Sequence, residues 1–315
     1  MTACMPGRWA TLQRIARWGL VCVCLILVSA QAVAARVVVV LSNDSAPYQE
    51  VYQVVRTLLD DSPHELSRVY ADKLTASALG GASLVVAVGV RAGDAVALLA
   101  DRPPVLAVLV PRAWYVRDGR SKLDGSGYAS AIYLDQPFER QARLINLAFP
   151  DVRRVGVLLS NDQGDLVGEL DAALRRQQID LLPGMLTSDE RLIGTLENVL
   201  SGADLLLAVA DPKVFNRNTA QSLFLTTYRY RVPVVGYSQS LTRAGALLSL
   251  HSSPAQIGRQ TAEWVLGALR GASVRLPPPA YPAYFGVSIN EQVARSLGFA
   301  LLPEAELEAR LGGKR

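Results

Sequence analysis

The chain has 315 residues, half of them hydrophobic, enough apolar side chain to fill more than one core. Its 32 Lys+Arg against 28 Asp+Glu give a formal charge of only +4 with no basic cluster, which excludes a nucleic-acid footprint. Its three cysteines, Cys4, Cys22 and Cys24, all precede residue 25, so the remainder holds neither a disulfide nor thiolate chemistry.

The N-terminus reads as an export signal. Arg8, Arg14 and Arg17 make a basic start with no acidic residue before position 35, and Trp18 to Ser29 is an apolar stretch. Ala32-Val33-Ala34 supplies a small-x-small cleavage pattern. The apolar stretch is short for a bilayer span, which needs about 20 residues. Cleavage after Ala34 is expected, with an uncleaved anchor as the alternative, and it places the chain in the periplasm. It also removes three arginines, leaving a nearly neutral protein of about 280 residues, a length that suits two domains.

The mature chain alternates short β-rich runs with amphipathic helices. Arg36–Leu41 (RVVVVL) is a continuous apolar run, suited to a strand covered on both faces. A helix follows over Tyr48–Leu59, a weaker strand over Glu65–Tyr70, a strand over Leu84–Val88, a helix over Ala92–Leu99, and strands over Val105–Val110 and Tyr128–Leu134. The pattern then restarts: helix Gln136–Ala148, strand Arg154–Ser160, helix Leu166–Gln177, short strand Ile179–Leu182, helix Arg191–Leu200, strand Asp204–Val209, helix Thr219–Tyr230, strand Val232–Val235. The tail adds a strand over Gly245–Leu250, a helix over Pro254–Leu269, a proline spacer at Pro277–Pro279 and Pro282, a strand over Tyr284–Ile289, and a helix over Asn290–Leu297 stopped by Gly298. The expected fold is α/β: two Rossmann-like lobes with parallel sheets, each opened by a strand ending in Ser-Asn, joined by a hinge that the chain crosses more than once. Lobe 1 is assigned 35–134 plus about 249–277, and lobe 2 is assigned 135–248 plus about 278–315.

Open parallel sheets bind ligands beyond the carboxyl ends of their strands. In the first lobe those positions are Ser42, Asn43, Asp44 and Ser45, which can bind a ligand or merely cap a helix. The glycine turn Gly89-Val90-Arg91 follows, where Gly89 lets backbone approach a ligand and Arg91 can pair with a carboxylate or simply face solvent. In the second lobe they are Ser160, Asn161, Asp211, Tyr237 and Ser238; Asp211 can instead cap a turn and Tyr237 fill the lobe interface. His251 reads as structural. No G-x-G-x-x-G or G-x-x-x-x-G-K phosphate loop, HExxH or G-x-S-x-G elbow is present, and the only histidines are His64 and His251. No cofactor, metal or catalytic residue is assigned.

Several segments together carry a family resemblance: YLDQPFERQARLINLAFPDVRRVGVLLSND (133–162), DLLLAVADPKVF (204–215), YRYRVPVVGYSQSLTRAGALLSL (228–250), IGRQTAEWVLGALRG (257–271) and SINEQVARSLGFALLPE (288–304). In this order they resemble the type I periplasmic binding-protein superfamily, and within it the substrate-binding proteins of ABC transporters that include tryptophan- and tyrosine-binding members. The resemblance implies two lobes joined by three crossovers and an amino acid or similar small ligand. It puts Ser42, Asn43, Ser160, Asn161, Asp211 and Tyr237 at cleft positions. The chain departs from the family at Val90-Arg91, where small residues are usual, at His251-Ser252, where an aromatic residue is frequent, and in the polarity of the 42–45 loop.

The resulting expectation is a binding protein that captures a small polar, amino-acid-like solute between its lobes for a membrane permease. A ligand-sensing module for a membrane signalling protein is the first alternative. A twin-Rossmann enzyme such as a glycosyl transferase is the second, disfavoured by the missing phosphate loops. Oligomeric state is not assigned.

Overall fold

The computed structural model describes residues 34–124, 128–186, 191–211, 213–216, 218–271 and 273–312. The expected export signal lies outside them except for Ala34. Among the described residues no helix is long and apolar enough to cross a membrane.

The valine-rich opening run becomes β1 (Arg36–Leu41), buried along all but its first residue. It is flanked by β2 (Glu65–Tyr70) and β3 (Leu84–Val88), with β4 (Val105–Val110) and β5 (Ala129–Tyr133) completing a parallel sheet in the order β2-β1-β3-β4-β5. The weak apolar pattern of β2 has a simple cause: it is an edge strand with no buried residue. The second sheet contains β6 (Arg154–Ser160), β7 (Asp180–Leu186), β8 (Leu205–Leu207), β9 (Val234–Gly236), β10 (Leu248–His251) and β11 (Gly286–Ile289). Its order is β11-β10-β9-β8-β6-β7, parallel except for β11, which runs antiparallel to β10. Read from β7, the first five strands repeat the order of the first sheet. β7 runs past the expected Leu182 and through Pro183 because an edge strand tolerates a residue that cannot donate to the ladder.

Helices cover both faces of each sheet: α1 (Ala46–Leu59) and α2 (Val90–Ala97) on the first, and α3 (Phe138–Ala148), α4 (Asp165–Arg175), α5 (Leu192–Leu200), α6 (Ala220–Arg229) and α7 (Gln239–Ala244) on the second. The long helix α8 (Pro254–Ala268) returns to the first lobe, where Ile257, Ala262 and Val265 join the core of β1 and α1. It starts from a full capping box, with Ser253 and Gln256 satisfying each other's backbone N–H groups. Gly258 is needed where α8 meets α1, since a Cβ there would sit 2.9 Å from Val54 Cβ and 3.1 Å from the Val51 carbonyl. Within the Gly-Arg-Gln run the glycine is therefore a packing requirement, while Arg259 is exposed and Gln260 bonds to the Ala283 N–H. α9 (Glu291–Leu297), capped by Asn290 and ended by left-handed Gly298, and α10 (Glu304–Leu311) close the second lobe.

Among the described residues the chain passes between the lobes three times: after β5, after β10, and on the way to β11. The last passage leaves the first sheet late. Ala280 still pairs with β5, donating to the Ala131 carbonyl at 2.9 Å and accepting from the Tyr133 N–H at 3.0 Å. His251 is still part of the second sheet, so the returning segment runs a few residues C-terminal of 249–277 at both ends.

The three passages are tied together by buried polar side chains. Gln136 Nε2 donates to Ser252 Oγ at 2.8 Å, and Ser252 Oγ donates to the Tyr284 carbonyl at 2.6 Å. Gln260 Oε1 accepts from the Ala283 N–H at 2.8 Å. Arg140 donates to Gln136 Oε1 and to the Pro282 carbonyl, with its guanidinium 4.1 Å from the centre of the Phe285 ring. Burial, with the nearby Arg143 adding to it, pulls the Arg140 pKa down to about 10. The fold is thus two α/β lobes with a multi-crossover hinge, the type I periplasmic binding-protein arrangement.

Candidate functional site

Residues from both lobes and from the hinge converge on one crevice with about 570 Å³ of empty space, part of it open to solvent. The space enclosed by protein is only about 30 Å³, room for no more than a water or two, so the walls of the crevice stand close together. The first lobe contributes Arg112 and Ala113, just after β4. The passage after β5 contributes Leu134, Asp135 and Gln136, and the returning segment contributes Tyr281. The second lobe supplies Gln163 and Leu166 beyond β6, Ala208 to Ala210 beyond β8, and Tyr237 beyond β9. Phe138 and Gln141 of α3 complete the lining.

Two charges meet there. The Arg112 backbone N–H donates to Asp135 Oδ2 at 2.6 Å, while its guanidinium reaches across to Glu169 Oε1 of α4 at 2.9 Å. Burial opposes the Arg112 charge, but the Glu169 contact and nearby tyrosines outweigh it and leave the guanidinium pKa above its ordinary value. Desolvation pushes the Asp135 carboxyl upward, with the backbone N–H groups of Arg112 and of Asp135 itself opposing the rise. The neighbouring phenols are held protonated. Burial raises Tyr133 and Tyr237, and raises Tyr281 to about 12. Tyr281 packs edge-on against Tyr133, and Tyr237 against Phe215. A second, longer contact also bridges the lobes, from Arg117 to Asp162 at 3.9 Å.

The residues expected to face a ligand divide sharply between the lobes. In the first lobe, Ser42 is buried and its hydroxyl is fully used, donating to the Val88 carbonyl at 2.9 Å and accepting from the Ala92 N–H at 3.0 Å. Gly89 adopts φ 87°, and a Cβ there would come within 2.5 Å of Ser42 Oγ. Asn43 folds back to accept from the Ser45 N–H at 2.9 Å, and Ser45 stands at the start of α1 without capping it through its side chain. Arg91 is exposed on the first turn of α2. None of these five lines the crevice.

In the second lobe, buried Asp211 binds the loops together: its Oδ2 accepts from the Ser160 N–H at 2.8 Å and lies 2.6 Å from Ser160 Oγ, and its Oδ1 accepts from the Lys213 N–H at 3.0 Å. Asp162, beside Ser160 Oγ and Lys213 Nζ, is held below the usual carboxylate range by those two contacts. Asn161 is exposed and opens a short turn. Ser238 caps α7 by accepting from the Leu241 N–H at 3.2 Å. Tyr237, alone of the ten candidates, lines the crevice. His251 bonds to Ser288 Oγ at 2.8 Å across the β10–β11 pair, and desolvation lowers its pKa.

Arg112, Asp135, Gln136 and Tyr281 were not anticipated. The first three follow β4 and β5 directly, so the strand-end rule applies to them as well. The sequence pattern starts a helix at Gln136, whereas α3 begins only at Phe138. Tyr281 enters through the pairing of Ala280 with β5, which no local pattern announces.

The family model for the ABC transporter substrate binding protein matches residues 130–309, more than half of the chain, from β5 to the last helix. The chain belongs to this family. Substrate-binding proteins of this kind are binding proteins, typically extracytoplasmic, and the two-lobed geometry agrees with that role. No curated protein sequence matches the chain. Solved structures show the same fold. A substrate-binding protein with adhesive properties from Clostridium difficile, in a ligand-free, open structure, superposes with a TM-score of 0.67 at 14% identity, covering 87% of this chain and 97% of that one. An ABC domain in complex with L-Trp from Streptococcus pneumoniae superposes at 0.61 with 17% identity, covering 87% and 98%. A periplasmic ribose ABC transporter protein from Conexibacter woesei superposes at 0.55 with 12% identity, covering 85% and 95%.

Proposed function

We propose that this substrate-binding protein is exported, with cleavage after Ala34, and captures a small polar, amino-acid-like solute in the inter-lobe crevice for an ABC permease, without catalysing a reaction. The observation that carries this reading is the crevice itself, which is walled by both lobes and floored by the hinge. A solute there contacts both halves at once and so binds the closed arrangement better than an open one. Arg112 and Asp135 supply opposite charges, and Tyr237, Tyr281 and Phe138 supply aromatic surface, a combination that suits a molecule with ionic groups and an apolar body. The solved relative holding L-Trp is consistent with such a ligand.

Thermal unfolding against amino acids, amines, sugars and organic anions tests the proposal, because a ligand of the folded form raises the midpoint. An Ala210→Trp variant, which fills the crevice, is expected to unfold like the wild type and to lose the shift. A response that survives in Ala210→Trp places binding elsewhere and contradicts the reading.

A further inference from the structure

The crevice carries an unequal set of charges. The Arg112 guanidinium has its counter-ion in place, with Glu169 at 2.9 Å. Asp135 has none. The groups that hold it are backbone N–H groups, that of Arg112 at 2.6 Å and its own; the Arg112 guanidinium charge acts on it only from beyond ion-pair distance, and among the described residues no Lys, Arg or His forms an ion pair with it. It is nonetheless part of the crevice lining. A buried carboxylate without a cation is costly, and such groups are found paired or recruit a partner.

The surroundings fit a cation on that carboxylate. Tyr237 and Tyr281 flank the crevice from opposite lobes, and their aromatic faces attract a cationic group lying near them. The charged and titratable groups around Asp135 are Arg112, with Glu169 behind it, Tyr133, Tyr237 and Tyr281, and burial keeps all three phenols protonated. Among the described residues none hydrogen-bonds to the Gln163 side chain, which leaves an amide for a neutral polar part of the solute. Gln136 is unavailable, since both ends of its amide are engaged in the hinge.

Building on the capture of a small solute in this crevice, we propose that the solute carries a protonated amine and that Asp135 is its counter-ion and the residue that selects for it. Sugars and simple organic anions are excluded on this basis. They cannot neutralise Asp135, and an anion would have to take Arg112 from Glu169 while lying next to an unpaired carboxylate. A zwitterionic amino acid fits if its ammonium group takes Asp135.

The test uses matched pairs that differ only in one amino group: L-tryptophan and indole-3-propionate, tyramine and 4-ethylphenol, L-phenylalanine and 3-phenylpropionate, 6-aminohexanoate and hexanoate. Each is added to the wild type, to Asp135→Asn and to Ala210→Trp, with thermal shift and titration calorimetry as readouts. Asn keeps an acceptor for the Arg112 N–H, so this variant retains the fold. Stabilisation is expected from amino members only, weakened about 10- to 100-fold in Asp135→Asn, the loss that follows when a charge-assisted contact becomes a neutral one. The wild-type response should also fade on acidification, as Asp135 is protonated above the usual carboxylate range. A desamino compound that binds the wild type as well as its partner, or an amine that binds Asp135→Asn undiminished, overturns the ammonium assignment and leaves solute capture intact. If binding of every solute also persists in Ala210→Trp, the crevice itself is not the site and both readings fail.

Discussion

The two lobes share one strand order over five strands, and the first strand of each leads into Ser-Asn at the topological switch point, yet they use these strand ends differently. In the first lobe Ser42 and Gly89 close the gap between β1 and β3: the serine hydroxyl bonds to one strand and to the helix after it, and the glycine lets the turn pass over it. In the second lobe Ser160 and Asp211 also bond to each other, but the backbone beyond β8 and the Tyr237 side chain remain open to the crevice. The first lobe reaches the site through strand ends further along its sheet, at Arg112 after β4 and Asp135 after β5. A switch point is thus a place where a ligand can bind, and whether it does depends on how much of its polar surface the fold has already consumed.

Substitutions can break this contrast. The largest expected effect is that of Gly89→Ala. It combines a φ of 87° with a Cβ 2.5 Å from Ser42 Oγ and 2.9 Å from Tyr48 Cε1, so a loss of about 2–4 kcal/mol is expected by urea unfolding. The affinity of the remaining folded protein for its solute should be unchanged, whereas a selective loss of affinity would assign the first switch point to the site. Asp211→Asn sets an amide N–H against one of the backbone donors that the carboxylate now accepts, and should cost about 2–3 kcal/mol of stability. In the same measurement, a shift below about 0.5 kcal/mol would show that the second lobe does not depend on this carboxylate.

Tyr237→Phe sharpens the comparison from the other side. Among the described residues none hydrogen-bonds to the phenol oxygen, so stability should change by less than about 0.5 kcal/mol. Solute affinity measured by calorimetry should fall about 3- to 10-fold if the hydroxyl contacts the solute. The smallest effect is expected from Glu169→Gln. The Arg112–Glu169 bridge is partly exposed, and such pairs contribute about 0–1 kcal/mol. It nevertheless spans the two lobes, so its loss should raise the radius of gyration of the unliganded protein in X-ray solution scattering. No expansion would mean that the bridge does not bias closure.

Much of this architecture can be read from residues alone, because buried parallel strands are written as apolar runs. RVVVVL and RVGVLLS announce β1 and β6 at their observed limits, and helix α8 announces itself through its spacing and its cap. The site was much less legible. Ser42, Ser160, Asp211 and Ser238 have the residue types that ligand sites use, but the same hydroxyls and carboxylates also satisfy backbone donors, and only the packed structure reveals which role is filled. Asp135 was concealed in a different way. It lies between a strand and a helix, where an acidic residue reads as a cap, and its exposure to the crevice follows from the hinge being crossed there. Tyr281 depends on a pairing between residues almost 150 positions apart along the chain, Ile132 and Ala280, and has no local signal at all.

The central claim is that a solute is held between the lobes against the hinge. A crystal structure of the protein grown with a stabilising amine tests this most directly. The account predicts density between Tyr237 and Tyr281 with a nitrogen within hydrogen-bonding distance of Asp135. Density resting instead on Asn43, Gly89 and Arg91, with the crevice empty, would contradict it.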